Sequence, residues 1–226
     1  MSKKILVAGA GTGVGRSLLE KLHALPGVEA IGISRRGIPL VQSLKAGANY
    51  ACDVTDTKSL LNFCHTLRIH WSRLDALYFT FGDGLFQSVE TLSLEDWEKH
   101  IALNLTAPYL LTKELSSLIG KGSLLCYLSS TAGRQGFPQS SAYCASKHGL
   151  AGFAKSIREE WKNREVRVSI VYAGAIDTPI WDGRNEFDRR DMIPVADAAD
   201  FLANLSFQPD TFNLDEIVFL PPKGIL

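Results

Sequence analysis

The stretch KILVAGAGTGVGRSLLEKL (4–22) joins a short apolar run to an amphipathic, helix-length segment through a glycine-rich turn. Within it, GAGTGVG (9–15) has the pattern G-x-x-x-G-x-G with a fourth glycine inside. Glycines let a backbone approach a pyrophosphate closely, and a helix start offers unpaired N–H groups and a positive dipole end. A tight turn that binds nothing is the alternative, but four glycines in seven residues cost too much folding entropy for that. The predicted phosphate-site residues are Gly9, Gly11, Thr12, Gly13, Val14 and Gly15.

Apolar runs of strand length alternate with amphipathic segments along the rest of the chain. The runs are apolar on both faces, which is typical of strands in a covered parallel sheet. The alternation predicts βαβ units and an α/β fold: a Rossmann-like, doubly wound parallel sheet of about seven strands, with helices on both faces. We expect one domain over 1–226. The predicted strands are 3–9, 29–34, 49–54, 74–81, 122–130, 166–174 and 215–221. The predicted helices are 13–25, 38–46, 57–69, 93–119, 140–163 and 195–206.

The composition argues against several classes of partner. The chain has 24 basic and 24 acidic residues and a formal net charge of zero, so nothing points to nucleic acid or to an anionic membrane. Its apolar runs are too short to cross a bilayer, and the first run enters the glycine turn without the apolar region of a signal peptide. The cytoplasm is therefore the default location. The spacing of the four cysteines suits neither zinc nor a disulfide framework, and we expect no metal.

The second predicted strand ends in Ser34, Arg35 and Arg36. In dinucleotide-binding folds an acidic residue at this point binds the ribose 2′-hydroxyl of NAD, whereas an arginine suits the 2′-phosphate of NADP. All three residues are therefore candidate cofactor contacts, and they favour NADP(H). NAD(H) remains the alternative, with the arginines solvated in a loop.

The next two strand ends supply further candidates. Asp53 and Val54 end the third predicted strand, and Asp53 is placed to meet the adenine edge of a dinucleotide. Asp56 is better interpreted as the N-cap of the following helix. The fourth strand ends in FTFGDG (79–84), where Gly82 permits a close approach to the cofactor.

Tyr143 and Lys147 are four residues apart in AYCASK (142–147), so a helix places them on one face. A phenol titrates near about pH 10 and is a poor base at neutral pH, but a neighbouring ammonium favours the phenolate and lowers that pKa. Ser130 ends the fifth predicted strand, where its hydroxyl is placed to stabilise charge on a substrate oxygen. A tunable proton donor beside a hydride carrier is what carbonyl reduction requires.

These motifs resemble those of the short-chain dehydrogenase/reductases over nearly the whole chain. The glycine turn is similar to that family's cofactor motif, YCASK (143–147) to its Tyr-x-x-x-Lys, and Ser130 to its active serine. The resemblance implies that Tyr143 is the acid/base, that Ser130 orients and stabilises, and that Lys147 lowers the tyrosine pKa and binds the nicotinamide ribose. Asn104 resembles the family's helix asparagine, which implies that it helps to hold a water in the proton relay to Lys147.

YAGAIDT (172–178) resembles the family's Pro-Gly segment. The resemblance implies that Thr178 touches the nicotinamide carboxamide and that Gly174 and Ile176 are also cofactor contacts. The segment near 179–194 leaves room only for a short substrate lid.

Two departures from the family pattern stand out. The usual Asn-Asn-Ala-Gly after the fourth strand is here Phe79-Thr80-Phe81-Gly82, in which Thr80 replaces one polar contact. The usual Pro-Gly is here Ala173-Gly174, which should loosen that turn slightly.

The sequence thus predicts an NADP(H)-dependent oxidoreductase that interconverts a carbonyl and a secondary alcohol on a small molecule. The alternatives are the same reaction with NAD(H), and a non-catalytic dinucleotide-binding sensor or scaffold. The resemblance also implies a homodimer or homotetramer, because the family often packs the helices predicted at 93–119 and 140–163 against a second subunit.

Four aromatic side chains near these motifs are open to a functional or a structural interpretation. Trp181 and Phe187 suit a substrate pocket and simple packing equally well. His100 and His148 are interpreted as structural or solvent-facing, because neither has a partner typical of a metal site.

Overall fold

The computed structural model describes residues 2–40, 44–184 and 187–225. The strands in these ranges are Lys3–Ala8 (β1), Val28–Ser34 (β2), Asn49–Ala51 (β3), Ala76–Phe79 (β4), Leu124–Ser130 (β5), Arg167–Ala173 (β6) and Glu216–Phe219 (β7). The α-helices are Gly13–Ala24 (α1), Thr57–His70 (α2), Leu94–Ile101 (α3), Ala107–Leu115 (α4), Ser141–Glu160 (α5) and Val195–Leu205 (α6). A π-helical segment, Ala102–Thr106, joins α3 to α4. Short 3₁₀ turns cover Ser116–Leu118, Thr131–Gly133, Lys162–Arg164, Pro179–Trp181 and Arg189–Asp191.

The strands form one parallel sheet in the order β3-β2-β1-β4-β5-β6-β7. The register aligns Ala8 of β1 with Ile33 of β2 on one side and with Phe79 of β4 on the other. The chain winds outward from β1 in both directions, so the strand order reverses between β1 and β4. A crevice forms at the carboxyl ends of strands at such a reversal. The predicted doubly wound parallel sheet is confirmed.

Helices cover both faces of the sheet, as predicted. Ile5 and Val7 of β1 belong to the core under α1 and α6, whereas Leu6 and Ala8 belong to the core under α2, α4 and α5. This two-residue alternation, with both faces buried, explains why the run is apolar throughout. No helix in the described part of the chain is long and apolar enough to cross a membrane.

The helix predicted at 38–46 is wrong wherever these residues are described. Ile38 forms a parallel bridge with Tyr50: its N–H donates to the carbonyl oxygen of Asn49 (2.8 Å), and its own carbonyl accepts from the N–H of Ala51 (2.7 Å). This pairing keeps the chain extended beside β3, and Pro39 has no N–H with which to continue a helix. Positions 41–43 of the prediction lie outside the described residues.

The helix predicted at 93–119 is interrupted rather than continuous. Pro108 has no N–H to donate to the carbonyl of Asn104, four residues earlier. The N–H of Ala107 instead donates to the carbonyl of Ala102, five residues back, within the π-helical segment. Such segments are frequent at functional sites, and this one carries Asn104.

Candidate active site

The glycine turn ends β1 and begins α1. Gly9 and Gly13 have φ angles of +102° and +53°, a region that side chains disfavour. A Cβ at Gly15 would overlap the carbonyl oxygen of Gly9 and Oγ1 of Thr80. Thr12, the N-cap of α1, makes no capping hydrogen bond with its side chain, and the first turn carries no acidic residue. The helix start is therefore free to bind an anion, and the turn fits a dinucleotide pyrophosphate.

A cleft of ≈ 630 Å³ opens beside this turn at the carboxyl ends of the strands. Predicted site residues on its wall are Thr12, Gly13, Val14, Arg35, Gly82, Ser130, Tyr143, Lys147, Gly174, Ile176 and Thr178. The remaining predicted residues lie outside its lining: Gly9, Gly11, Gly15, Ser34, Arg36, Asp53, Val54 and Asn104. The three glycines in this second group form the turn itself, and Asn104 contacts the site from behind.

The two arginines that follow β2 differ in their position relative to the cleft. Arg35 lines the cleft and Arg36 does not, although both side chains are exposed. The hydroxyl of Ser34 accepts a hydrogen bond from Nδ2 of Asn49 (2.8 Å), so it connects β2 to β3. The structure thus places a single cationic side chain from this strand end against the cleft.

The loop after β3 is organised by its two aspartates. Oδ1 of Asp53 accepts from the N–H (2.9 Å) and the hydroxyl (2.7 Å) of Thr55. Burial raises the pKa of Asp53, but these hydrogen bonds and the charge of Arg35 outweigh it, and the pKa lies below its usual value. The contact of Asp53 with adenine remains a prediction. Asp56 accepts from the N–H of Lys58 (3.0 Å) and caps α2, as predicted.

Tyr143 and Ser130 meet at the cleft wall, where their side chains form a hydrogen bond. Burial raises the pKa of Tyr143, and the bond with Ser130 offsets part of that rise. Oγ of Ser130 also accepts from the N–H of Ala132 (3.2 Å), at the start of the turn that follows β5. This second bond fixes the hydroxyl oxygen beside the phenol.

Lys147 follows one helical turn after Tyr143 and is buried. Its Nζ donates to the carbonyl oxygen of Leu128 (3.2 Å) and lies 5.8 Å from the centre of the Tyr143 ring. Burial lowers the pKa of Lys147 to about 8. A Cβ at Gly82 would lie 3.3 Å from this Nζ, so the glycine leaves the ammonium room. Lowering of the tyrosine pKa by Lys147 remains a prediction.

Asn104 is buried behind the cleft and ties the loop after β4 to α5. Its Oδ1 accepts from the N–H of Asp83 (3.1 Å), and its Nδ2 donates to the carbonyl of Asp83 (3.0 Å) and to Oγ of Ser146 (3.2 Å). Ser146 precedes Lys147 directly. The amide therefore sets the distance between this loop and the helix that carries Tyr143 and Lys147.

The unusual residues after β4 are well packed. The N–H and the hydroxyl of Thr80 both donate to the carbonyl of Ala8 (2.8 Å each), so Thr80 supplies a polar link between β4 and β1. Phe79 stacks on Tyr127 with ring centres 4.3 Å apart, and Phe81 meets Phe79 edge-on at 6.4 Å. The two phenylalanines are part of the core under the cleft, and Phe81 also lines it.

The short segment near 179–194 closes one side of the cleft. Arg189 pairs with Asp177 and with Asp182 (2.8 Å) and donates to the carbonyl of Thr178 (2.9 Å). Trp181 and Phe187 pack edge-on at 5.2 Å and also line the cleft, so their packing role is present and their contact with a substrate remains a prediction. Positions 185–186 lie outside the described residues.

Several residues of the site were not singled out from the sequence. The ring of Phe86 lies 5.8 Å from that of Tyr143, and the guanidinium of Arg184 lies 3.4 Å from the centre of the Phe86 ring. His148, which the sequence interpretation took as structural or solvent-facing, is exposed and lies outside the lining of the cleft; its Nδ1 contacts the carbonyl of Cys144 at 2.9 Å.

His100 follows the structural rather than the solvent-facing alternative of its sequence interpretation. Its ring is buried rather than solvent-facing, and it contacts Asn104. The spacing of four that singled out Tyr143 and Lys147 also relates His100 to Asn104, so the sequence did carry a signal for this contact.

Known proteins are similar to this chain in both sequence and fold. A family model for short chain dehydrogenases matches residues 3–189. D-threitol dehydrogenase of Mycolicibacterium smegmatis is 29% identical, with 89% of this chain and 86% of that protein covered. The short chain dehydrogenase ausX of Penicillium brasilianum is 31% identical, with 98% and 91% covered. A metagenomic short-chain oxidoreductase solved in complex with NADP superposes with a TM-score of 0.77 at 30% identity, covering 97% of each chain.

Proposed function

Since this chain belongs to the short-chain dehydrogenase family, whose members are oxidoreductases, we propose that it interconverts a carbonyl and a secondary alcohol with NADP(H). The observation that carries the proposal is the meeting of Ser130, Tyr143 and Lys147 at the carboxyl end of the sheet, beside a glycine turn that fits a pyrophosphate. A protein that only bound a dinucleotide would have no use for an acid/base pair buried against the same cleft.

The bound dinucleotide supplies or accepts the hydride in this reaction. The chain's own residues handle the proton. In the direction of reduction, the phenol of Tyr143 donates its proton to the carbonyl oxygen of the substrate. Ser130 donates a hydrogen bond to the same oxygen, which stabilises the charge that develops on it. The positive charge of Lys147 stabilises the resulting phenolate until a proton returns. In the direction of oxidation the phenolate accepts the alcohol proton.

The preference for NADP(H) rests on Arg35. Its guanidinium is on the cleft wall, and the neighbouring residue at the strand end, Ser34, carries no charge to repel a phosphate. An arginine in this place suits a 2′-phosphate through charge-assisted hydrogen bonds. The NADP complex of the metagenomic oxidoreductase is consistent with this preference.

The first experiment is a fluorescence titration of the purified chain with NADPH and with NADH. Initial rates of NADPH oxidation are then measured, with D-erythrulose, cyclohexanone, acetophenone and butane-2,3-dione as probes. D-erythrulose is the ketone formed when a secondary alcohol of D-threitol is oxidised, and so tests the activity named for one relative. We expect tight binding of NADPH and turnover of at least one probe. Tight NADPH binding without turnover of any probe would instead support a dinucleotide sensor.

Tyr143→Phe is the matched variant for this experiment. It removes the proton donor and keeps the ring, so turnover should fall by about 10²–10⁴-fold while the Kd for NADPH changes little. Undiminished turnover in Tyr143→Phe would overturn the assignment of the acid/base.

We also propose that the chain works in the cytoplasm as a homodimer or homotetramer. Tyr109 of α4 is 43% exposed and packs edge-on against Phe153 of α5 at 6.1 Å, which leaves an aromatic surface on the helices expected to meet a second subunit. Light scattering after size-exclusion chromatography tests this assembly, and a monomer at micromolar concentration would contradict it.

A further inference from the structure

His100 is an ionisable side chain of the site to which the proposed chemistry assigns no role. It lies in the last turn of α3 and is 6% exposed. Its Nε2 lies 2.7 Å from Nδ2 of Asn104, and its ring meets that of Tyr143 edge-on with centres 5.9 Å apart. A buried imidazole is costly unless its polar atoms have partners, so this contact needs an explanation.

The surrounding backbone determines which atom is the donor. The N–H of Asp83 donates to Oδ1 of Asn104, and the carbonyl of Asp83 accepts from Nδ2. These two bonds fix which end of the amide carries the two N–H groups. Their three neighbours are Nε2 of His100 (2.7 Å), the carbonyl of Asp83 (3.0 Å) and, farthest, Oγ of Ser146 (3.2 Å), so one N–H of Asn104 points at the imidazole and the longer contact with Ser146 is shared. Nε2 of His100 must then accept, and a neutral imidazole that accepts at Nε2 carries its proton on Nδ1.

We propose that His100 is a positioning residue: as a neutral acceptor, it holds the Asn104 amide and thereby the loop of Gly82 and Asp83 against Lys147. The proposal rests on the proposed oxidoreductase function. A Cβ on Gly82 would lie 3.0 Å from Oδ1 of Asn104 and 3.3 Å from Nζ of Lys147, so loop, amide and ammonium are packed within contact distance of one another.

Protonation of His100 would reverse its role. An N–H at Nε2 would face an N–H of Asn104, so the amide would lose its nearest acceptor and the loop part of its support. The charged groups that face the ring are Asp83 from the loop after β4 and Lys147 from α5, and Tyr143 of α5 lies against it. Burial lowers the pKa of His100, Asp83 raises it, and Lys147 lowers it further; the net value is below the usual 6.5. The site should therefore stay intact at neutral pH and weaken only in acid.

Three variants separate this role from simple packing. His100→Gln keeps an acceptor that does not titrate, His100→Leu keeps bulk without an acceptor, and His148→Gln removes an exposed imidazole of α5 as a control. The readout is kcat/KM for reduction of the fastest probe ketone with NADPH between pH 5 and pH 8.

For the wild type, kcat/KM should decline below pH 6.5, the usual pKa of histidine. His148→Gln should behave in the same way. His100→Gln should lose this acid limb, whereas His100→Leu should lose about tenfold in kcat/KM at neutral pH, the equivalent of one hydrogen bond. An unchanged acid limb in His100→Gln, or full activity in His100→Leu, would overturn the proposal.

A second measurement does not depend on turnover. Long-range ¹H–¹⁵N correlation spectra of the wild type report the tautomer and pKa of each imidazole, and comparison with His100→Gln identifies the His100 signals. We expect the Nδ1–H tautomer for His100 with a pKa below 6.5, and a change of both in Asn104→Ala. An Nε2–H tautomer would overturn the inference even in an active enzyme. If the wild type turned over none of the probe ketones but showed the expected tautomer, the proposed function would be overturned and the contact between His100 and Asn104 would stand.

Discussion

The ammonium of Lys147 lies 5.8 Å from the centre of the Tyr143 ring, buried on the same side of α5. Its only hydrogen-bond acceptor among the described residues is the carbonyl oxygen of Leu128. A buried charge held by one carbonyl is costly, and its pKa of about 8 reflects that cost. The fold therefore maintains a cation at some expense to its stability, as is common where a charge serves catalysis.

Lys147→Met should inactivate the enzyme and stabilise the fold. The pKa of Lys147 falls from 10.5 in the unfolded chain to about 8 in the folded one, so the unfolded chain binds more protons between these values. Wild-type stability should therefore rise with pH across this window. At pH 7 we expect Lys147→Met to be more stable by about 3 kcal/mol, with the difference shrinking towards pH 10. Urea denaturation at both pH values measures this, and a variant less stable than the wild type at pH 7 would contradict it.

Ser130→Ala should move the pH dependence of alcohol oxidation upward. The hydrogen bond from Ser130 lowers the pKa of Tyr143, which burial has raised. Removal of this hydrogen bond leaves the pKa of Tyr143 higher still, so a higher pH is needed to form the phenolate that accepts the alcohol proton. We expect the acid limb of kcat/KM for oxidation to shift to higher pH and kcat to fall by about 10²-fold. Ser141→Ala, an exposed change at the start of α5, serves as the control. An acid limb of kcat/KM at the same pH as in the wild type would show that Ser130 does not lower the pKa of Tyr143.

The sheet could be predicted from the sequence because both of its faces are buried. A run such as Ile5–Ala8 must be apolar on both sides, and that signal is independent of the partners of the strand. The prediction of a helix at 38–46 failed because the amphipathic spacing of this segment competes with a long-range pairing. The bridge between Ile38 and Tyr50 keeps the chain extended there. Periodicity carries no information on such pairings.

The site was partly predictable for a similar reason. The glycine turn and the pair Tyr143 and Lys147 are local patterns, and the structure brings them to one cleft. The burial of His100 depends on how α3 packs against α5, and the break that places Asn104 depends on a proline four residues later. Tertiary packing decides the burial of His100, so the sequence could relate it to Asn104 by spacing but could not choose between its two interpretations. The break is a local effect of Pro108, which the prediction of one continuous helix passed over.

Arg35→Glu should reverse the cofactor preference. The guanidinium lines the cleft, so its loss should weaken NADPH by about 10–100-fold, the range of one or two charge-assisted hydrogen bonds. Binding of NADH, which has no 2′-phosphate, should change little or improve. Arg36→Glu changes the net charge equally at an exposed position outside the cleft lining, and should leave the ratio of the two Kd values near the wild-type ratio. Equal effects of the two variants would show that the preference arises from general charge rather than from Arg35.

Gly15→Ala should damage the phosphate turn through a single methyl group. A Cβ there would overlap the carbonyl oxygen of Gly9 and Oγ1 of Thr80, and the backbone oxygen cannot move without distorting the turn. Overpacking of this kind costs about 1–3 kcal/mol, so the variant should unfold at lower urea concentration and bind NADPH at least tenfold more weakly. Gly152→Ala is the matched control, because Gly152 is exposed on α5 and its Cβ would meet no atom within 4 Å. That variant should gain about 0.5–1 kcal/mol from the helix propensity of alanine and bind NADPH normally. If both variants unfolded and bound alike, close packing of α1 against the turn would not be what the glycine provides.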